Sequence, residues 1–155
     1  MSAQIEDVFR VNDQDYKLVA MSAPMPFVPQ DYGLNPQYRC TACWRGYWCE
    51  YSINLSGLFL QNLYMYNSEN DYPEINGVSV SPQTYHEVIG YSFKNGPRKL
   101  LREDHSGHRK YENVNLRIPF TGRILVGDRF IQKYYIHMGF QRSWAYEILK
   151  EFVFE

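Results

Sequence analysis

Short runs of apolar residues, many alternating with polar ones and ended by turn residues, occupy most of the chain and are typical of β-strands. The densest run is Cys40–Tyr66. It predicts two or three consecutive antiparallel strands, with turns at 45–46 and 54–57. We expect the rest of the chain to fold around this segment.

The N-terminal third predicts a hairpin followed by a long connection. Residues 5–11 and 16–20 read as strands on either side of the polar turn 12–15. The segment 22–36 contains four prolines, which disfavour regular strands, so we expect an irregular connection. Its apolar residues indicate that it packs across one end of the sheet.

The middle of the chain carries a strong strand followed by a weak signal. Residues 58–65 have apolar side chains at both odd and even positions, which favours a central strand covered on both faces. Residues 84–93 fit a strand or a short helix, 94–97 a turn, and 98–110 a charged loop. We therefore treat 79–110 as a possible loop-rich insert.

The last third predicts further strands. Residues 115–120 and 123–126 flank the turn 121–122 and read as a hairpin that ends at 127–128, and 130–138 reads as another strand. The spacing of apolar residues in 142–151 fits a helix, whereas the β-branched and aromatic content that follows fits a strand, and both alternatives stay open.

These patterns predict one domain over residues 1–155 that is mainly β, with α+β as the alternative. We expect a twisted antiparallel sheet that closes into a barrel or sandwich, with one or two short helices. Aromatic residues make up 17% of the chain, led by 14 tyrosines. Such an excess suits sheet faces and interaction surfaces.

The charge balance and hydropathy narrow the function classes. The net charge is -1 and the pI about 6.4, so we expect no nucleic-acid partner. No apolar stretch is long enough to span a bilayer, and charged residues interrupt the N-terminal segment, so we expect no membrane partner and a cytoplasmic location. The three cysteines are expected to be reduced thiols.

Several sequence blocks resemble those of a family of small bacterial proteins. The blocks here are Trp44-Arg45-Gly46-Tyr47, the strand Gly57-Leu58-Phe59-Leu60, and Tyr135-Ile136-His137-Met138-Gly139-Phe140. The family has W-R-G-Y and Y-x-H-M-G-[YF] blocks, and it is uncharacterised. The resemblance implies a shared β-rich fold and a bacterial context but no activity, and the 79–110 segment departs from the family pattern.

Two groups of residues have the chemistry of metal ligands. Cys40 and Cys43, with His105 and His108, have the residue types and spacings of a tetrahedral zinc site. Extended structure at 41–42 would send the two thiols to opposite faces, so buried thiols are the favoured interpretation and we assign no metal. Asn67, Glu69, Asp71 and Glu74 lack the spacing of a calcium loop and read as a solvated acidic turn.

The remaining candidates are polar residues inside apolar runs. Glu50 and His137 each need a hydrogen-bond partner or a wet cavity, because a buried unpaired polar group costs about 1–3 kcal/mol. The candidate partners are Arg45, Arg117, Arg123 and Tyr135. The favoured interpretation is an internal pair that fixes strand register, and the alternative is a pocket lined by His137 and Glu50.

The function that these observations favour is non-enzymatic binding. No common hydrolase, zinc-protease or nucleotide-binding motif occurs, so we expect no cofactor and no catalytic residue. Tyrosine and tryptophan are enriched at the centres of protein interfaces. We expect an intracellular bacterial protein that recognises a protein partner, for example as an immunity or inhibitor protein. The alternative is a small-ligand-binding barrel or an enzyme with its pocket at His137 and Glu50.

Overall fold

Strands and short 3-10 helices make up the regular structure in the computed structural model, which describes residues 2–22 and 24–155 and is mainly β, as predicted. The strands are β1 (Val8–Val11), β2 (Gln14–Met21), β3 (Tyr47–Asn54), β4 (Gly57–Met65), β5 (Tyr85–Ser92), β6 (Gly96–Glu103), β7 (Arg109–Tyr111), β8 (Leu116–Ile118), β9 (Gly122–Phe130) and β10 (Tyr146–Phe154). The 3-10 helices are Pro29–Tyr32, Asp104–Gly107, Gln132–Tyr134 and Ser143–Ala145. Within the described ranges, no helix has the length and apolar character to cross a membrane.

Eight strands form one open, twisted sheet in the order β10-β9-β2-β1-β3-β4-β7, with β8 also paired to β4. The pairs are antiparallel except β1 with β3, which is parallel, so the prediction of a purely antiparallel sheet is wrong. The sheet does not close into a barrel. A cleft of about 640 Å³ separates the turn between β3 and β4 from the end of β10.

The two hairpins predicted in the first half of the chain are confirmed. Asn12 and Asp13 join β1 to β2 and both have positive φ, which suits the tight turns that match strand twist. β3 and β4 pair from Tyr47 with Met65 down to Asn54 with Gly57. Hairpins of this kind are visible in sequence because both strands and their turn are local.

A bulge in β4 explains why apolar residues occur at both odd and even positions there. Glu50 pairs with Asn62 but Tyr51 pairs with Leu60, so Gln61 is the extra residue. The bulge shifts the alternation by one. The residues on either side of it therefore lie in the same hydrophobic core: Leu58, Leu60, Leu63 and Met65. The prediction of a central strand covered on both faces is confirmed, with the main core on one face and the smaller cluster of Cys43, Trp48 and Tyr64 on the other.

The bulge also divides the outer edge of β4 between two partners. β8 pairs with residues 58–60 and β7 with 63–65. Between them, the backbone N–H of Val114 donates to the Gln61 carbonyl oxygen (2.8 Å) and that of Asn113 donates to the Asn62 side chain (3.0 Å). The backbone groups at the bulge are thus hydrogen-bonded.

The proline-containing connection packs as predicted over its described residues. Phe27 and Leu34 are buried in the main core, while Val28 and Tyr32 remain more than a third exposed. Met1, within the predicted domain, and Ala23, within the predicted connection, lie outside the described residues.

Several predictions for the second half are wrong. The charged segment 98–110 is no simple loop, because β6 pairs with β5 along its whole length in a separate two-stranded hairpin. β8 and β9 do not form a hairpin: β8 pairs with β4, and β9 runs through 127–128 between β2 and β10. The predicted strand 130–138 contains instead a 3-10 turn and irregular backbone. The open choice at 142–151 resolves to a 3-10 turn followed by β10.

A buried ion pair joins the N-terminal segment to the turn before β3. Asp7 is 0% exposed, and its carboxylate accepts hydrogen bonds from the Arg45 guanidinium and from the backbone N–H of Cys49 (2.8 Å). Burial by itself would lower the pKa of Arg45, but the Asp7 carboxylate outweighs it and raises that pKa. Arg45 also lies over the Tyr47 ring, 4.7 Å from its centre. Arg45 therefore pairs with Asp7, and not with Glu50 or His137, for which it was a candidate partner.

Replacing Asp7 with Asn is expected to lower the free energy of unfolding by about 3–5 kcal/mol, because Arg45 would be left charged without its counter-ion. Urea denaturation measures this. Asp13→Asn is the control. Asp13 is fully exposed and its pair with Arg10 is loose, at 3.9 Å, so this substitution should change the free energy of unfolding by less than about 0.5 kcal/mol. Equal losses in the two variants would contradict the structural role of Asp7.

Candidate protein-binding surface

The segment 131–145 is irregular backbone held in a fixed shape by hydrogen bonds. The N–H of Ile131 donates to the Ala145 carbonyl oxygen (2.7 Å) and closes the segment at its base. Gln141 is buried, and its side-chain amide both accepts from the N–H of Ile136 (3.0 Å) and donates to the Ile136 carbonyl oxygen (2.9 Å). The Gln141 side chain thus makes the two hydrogen bonds with Ile136 that the backbone of a neighbouring strand would otherwise make.

A second buried glutamine connects this segment to the turn before β3. The backbone N–H of Gln4 donates to the Gly139 carbonyl oxygen (2.8 Å). Its side chain donates to the Thr41 carbonyl oxygen (2.8 Å) and accepts from the Trp44 N–H (2.8 Å). The two sequence blocks that contain Trp44 and Gly139 therefore lie on neighbouring segments, with residues 3–5 between them.

The base of the segment is also packed firmly. The Tyr146 ring lies against Gly127 of β9, where an added Cβ would stand only 2.6 Å from a ring carbon. The same ring contacts Phe130 edge-on, with 5.5 Å between ring centres. Glycine at 127 leaves the space on β9 that the Tyr146 ring occupies.

Large apolar side chains point outward from these fixed segments. We call them the aromatic surface, and they are between 37% and 65% exposed: Trp44, Phe130, Tyr134, Tyr135, Met138, Phe140 and Trp144. Trp, Tyr, Phe and Met are the residue types enriched at the centres of protein interfaces. Side chains of this size rarely stay exposed in such number without a binding role.

The charged residues within the stretch 129–144 have one sign. The stretch 129–144 contains Arg129, Lys133 and Arg142 and no aspartate or glutamate, although acidic residues outnumber basic ones in the whole chain. All three cations are exposed. Lys133 lies over the Tyr134 ring at 4.9 Å, so part of the basic charge stands directly on an aromatic group.

The structure separates His137 from Glu50, which the sequence suggested as parts of one pocket. His137 is exposed in the irregular segment and contacts the Tyr135 ring edge-on at 4.9 Å. Glu50 lines a small cavity of about 80 Å³ on the reverse face of β3, and His137 is not among the residues that line it. These two residues therefore do not form the predicted pocket.

Glu50 has hydrogen-bond partners within the sheet. It accepts from the Asn62 side chain (2.9 Å) and from the Tyr64 hydroxyl (3.2 Å), both on β4. The other candidate partners lie elsewhere: Arg117 donates to the Ser56 carbonyl oxygen, and Arg123 lies 4.0 Å from Glu151. The pairing across β3 and β4 agrees with the interpretation that Glu50 fixes strand register beside the bulge.

The four zinc candidates surround a stacked aromatic pair. Trp48 and Tyr64 stack with ring centres 4.7 Å apart, and His108 and His105 pack on them, each at 4.8 Å. Cys43 and the half-buried Cys40 pack against the same cluster. In the ranges that the structure describes, no group of three or more His, Cys, Asp or Glu side chains is arranged to hold a metal ion. The candidates share a hydrophobic cluster instead.

The buried thiols are poor nucleophiles at neutral pH. Burial raises the pKa of Cys43 to about 11, and its thiol donates to the Tyr47 carbonyl oxygen (3.4 Å). Burial likewise raises the pKa of Cys49 well above the ordinary value. Because the thiolate is the reactive form, redox chemistry at Cys43 and Cys49 is disfavoured.

The acidic segment 67–74 is a turn, as expected, but it is more ordered than its charge suggests. Asn67 is buried, and its side-chain oxygen accepts the backbone N–H of Glu69 (2.8 Å) while its amide donates to the Asn35 carbonyl oxygen (3.1 Å). Asn67 thus ties the end of β4 to the proline-containing connection.

Sequence reasoning missed the residues that build the aromatic surface from behind. Gln4 and Gln141 are polar residues in weak patterns, and their roles depend on backbone groups far away in the chain. The available signal was compositional: 129–144 combines five aromatic residues with three cations and no carboxylate. That combination is unusual for a buried strand.

No family model matches the chain, and no curated protein or solved structure matches it. The resemblance to the family with W-R-G-Y and Y-x-H-M-G-[YF] blocks therefore stays a prediction.

The buried His108 is expected to make the fold sensitive to acid. His108 is 1% exposed, its Nδ1–H donates to the His105 carbonyl oxygen (3.0 Å), and its Nε2 has no hydrogen-bond partner. Burial, and to a lesser extent Arg39 and His105, lower its pKa. Below about pH 6.5 the unfolded chain takes up a proton that the folded chain does not, so stability falls as pH falls, by up to about 1.4 kcal/mol per pH unit.

Urea denaturation between pH 7.5 and 5.5 measures this slope. His108→Phe should reduce the slope, whatever its effect on stability at neutral pH, whereas His105→Gln at the exposed neighbour should leave it in place. An unchanged slope in His108→Phe would show that other groups cause the acid sensitivity.

Proposed function

We propose that this protein binds another protein through the aromatic surface. The observation that carries the proposal is the combination of exposed aromatic side chains with a backbone that is already fixed. A surface that is ordered before binding avoids the entropic cost of ordering on association. Gln4 and Gln141 supply that order, since both are buried and hydrogen-bonded on the inner side of the exposed residues.

The charge pattern indicates what kind of partner fits. Three cations, Arg129, Lys133 and Arg142, lie among the aromatic residues of 129–144. That stretch contains no aspartate or glutamate. A complementary partner would present an apolar patch bordered by aspartate or glutamate. More narrowly, we propose an immunity or inhibitor protein that covers a functional surface of its target. This narrower proposal includes a bacterial source and a cytoplasmic location.

Trp144→Ala and Phe140→Ala are expected to weaken partner binding by about 2 kcal/mol each, or roughly thirtyfold in Kd, as is typical of aromatic residues at interface centres. Tyr38→Ala is the matched control, because Tyr38 is 58% exposed but lies outside the aromatic surface. The partner is first recovered by affinity capture with the wild-type chain and the three variants in parallel, and is then purified for calorimetry.

Support requires a partner that binds the wild-type chain in a fixed ratio and loses affinity with Trp144→Ala and Phe140→Ala but not with Tyr38→Ala. Circular dichroism and thermal unfolding establish that the variants remain folded. A partner that binds all four chains equally would overturn the assignment of this surface. A wild-type chain that covers the surface by self-association, seen by sedimentation, would also overturn it.

A further inference from the structure

The hairpin of β5 and β6 stands apart from the main sheet, and we call residues 85–103 the arm. Its strands pair with each other along eight residues and with no strand of the main sheet in the described parts of the chain. The arm is attached at its base. There, the Asp104 N–H donates to the Thr84 carbonyl oxygen (2.9 Å) and Arg39 pairs with Glu103 (2.9 Å).

The arm exposes apolar side chains over most of its length. Tyr85, Ile89 and Tyr91 share one face by strand alternation, and Leu101 of β6 lies on the same face, opposite Glu87. All four are more than half exposed, and Phe93 at the tip is fully exposed. The same face also carries Glu87, Lys99 and Glu103. An isolated two-stranded hairpin is marginally stable in water, so large apolar side chains left exposed on it favour a binding role.

The charges along the arm are separated by position. Lys94 and Arg98 lie at its distal end, where no carboxylate occurs between 88 and 102. Lys99 lies 4.0 Å from Glu87, and Glu103 lies at the base. Both Lys99 and Glu87 are exposed, so their attraction is weak. The net charge of the distal end is therefore positive, although acidic residues outnumber basic ones in the whole chain.

The arrangement of these groups points to the kind of surface that the tip meets. Lys99 lies on the apolar face, opposite Ile89; Arg98 lies on the reverse face, opposite Gly90; and Lys94 lies in the turn beside Phe93. The cations thus surround the tip instead of bordering one side. A protein partner would be met by one face, whereas a fluid layer of anionic headgroups surrounds an inserted tip.

We propose that the tip of the arm binds an anionic lipid surface, with Phe93 and Tyr91 entering the interfacial region and Lys94, Arg98 and Lys99 contacting the headgroups. Aromatic side chains favour the membrane–water interface, and basic residues add attraction to anionic lipids. Aliphatic Ile89 fits hydrocarbon better than the stacked bases of a nucleic acid. This proposal departs from the expectation of no membrane partner, which rested on the lack of a segment long enough to span a bilayer, because binding by a hairpin tip needs no such segment.

Flotation of the full-length chain with vesicles tests this inference, comparing phosphatidylcholine alone with a mixture containing about one third phosphatidylglycerol. Binding is expected to the mixed vesicles and to fall with added salt. Phe93→Ser should weaken it about tenfold, and Lys94→Gln with Arg98→Gln about fivefold for each charge removed. Leu55→Ser is the matched control, since Leu55 is also a fully exposed apolar residue in a hairpin turn, between β3 and β4.

A direct readout of insertion is the fluorescence of Phe93→Trp, recorded as the difference from the wild-type chain with its three tryptophans. Quenching by lipids brominated on their acyl chains would support insertion of residue 93. The inference is overturned by lack of flotation, by equal binding to phosphatidylcholine alone, or by an equal effect of Leu55→Ser. Tighter binding to a single-stranded oligonucleotide than to the vesicles, or an arm covered by a second copy in sedimentation, would also overturn it.

The inference goes beyond the proposed function and is independent of it. Phe93→Ser should leave binding of a protein partner at the aromatic surface unchanged, and Trp144→Ala should leave flotation unchanged. A failure of either proposal is therefore recognisable while the other stands.

Discussion

The ion pair between Asp7 and Arg45 is the constraint on which the arrangement of the sheet depends. Asp7 comes directly before β1, and its carboxylate accepts the Cys49 N–H of β3 as well as the Arg45 guanidinium. It thus continues the parallel pairing of β1 with β3 by one residue through a side chain. A fully buried carboxylate that is paired with a half-buried guanidinium tolerates few alternative positions. The pair therefore fixes which strand lies beside β3.

The turn that carries Arg45 is restricted from its other side as well. Gly46 has φ of +80°, and an added Cβ would stand 2.3 Å from the backbone oxygen of Gln37. The Tyr66 N–H donates to the Gly46 carbonyl oxygen (3.1 Å), and the Gln37 N–H donates to that of Tyr66 (2.8 Å). The connection, the turn and the end of β4 are thus packed backbone against backbone. Trp44, two residues before Gly46, obtains its position on the aromatic surface from this packing.

Sequence reasoning succeeded where structure depends on neighbours in the chain. The hairpins β1–β2 and β3–β4 were predicted because their strands and turns are contiguous. The bulge at Gln61 was missed because an inserted residue and a strand that is apolar on both faces give the same sequence pattern. The parallel pairing of β1 with β3 was missed because Asp7 looked like a solvent-facing interruption, and its partner is 38 residues away.

The candidate site was harder to predict than the core for a related reason. Residues 130–138 have the composition of a strand. From 131 onward, however, their backbone groups bond to Ala145, to the Gln141 side chain and to one another within the 3-10 turn, so no sheet partner is needed. The arm shows the opposite case. Its strands pair fully with each other, and in the described parts of the chain neither pairs with a strand of the main sheet. Most residues of 98–103 are exposed, so burial imposed little pattern there and the charged residues resembled a loop. Pattern reading detects burial, and both candidate surfaces are exposed.

The two exposed apolar surfaces differ in how they are supported, and the difference bears on what each can bind. The aromatic surface rests on buried amides with several backbone partners, so its shape is set before contact, as recognition of a folded protein requires. The arm is held mainly at its base, where Asp104 also pairs with His86 at 2.6 Å; side-chain hydrogen bonds with Thr84 and His86 lower the pKa of Asp104. Its tip needs no fixed shape to enter a fluid interface. Directly after that base, His105 packs on Tyr64 and His108 packs on Trp48. The cluster that anchors this end of the arm is therefore also the one whose burial lowers the pKa of His108.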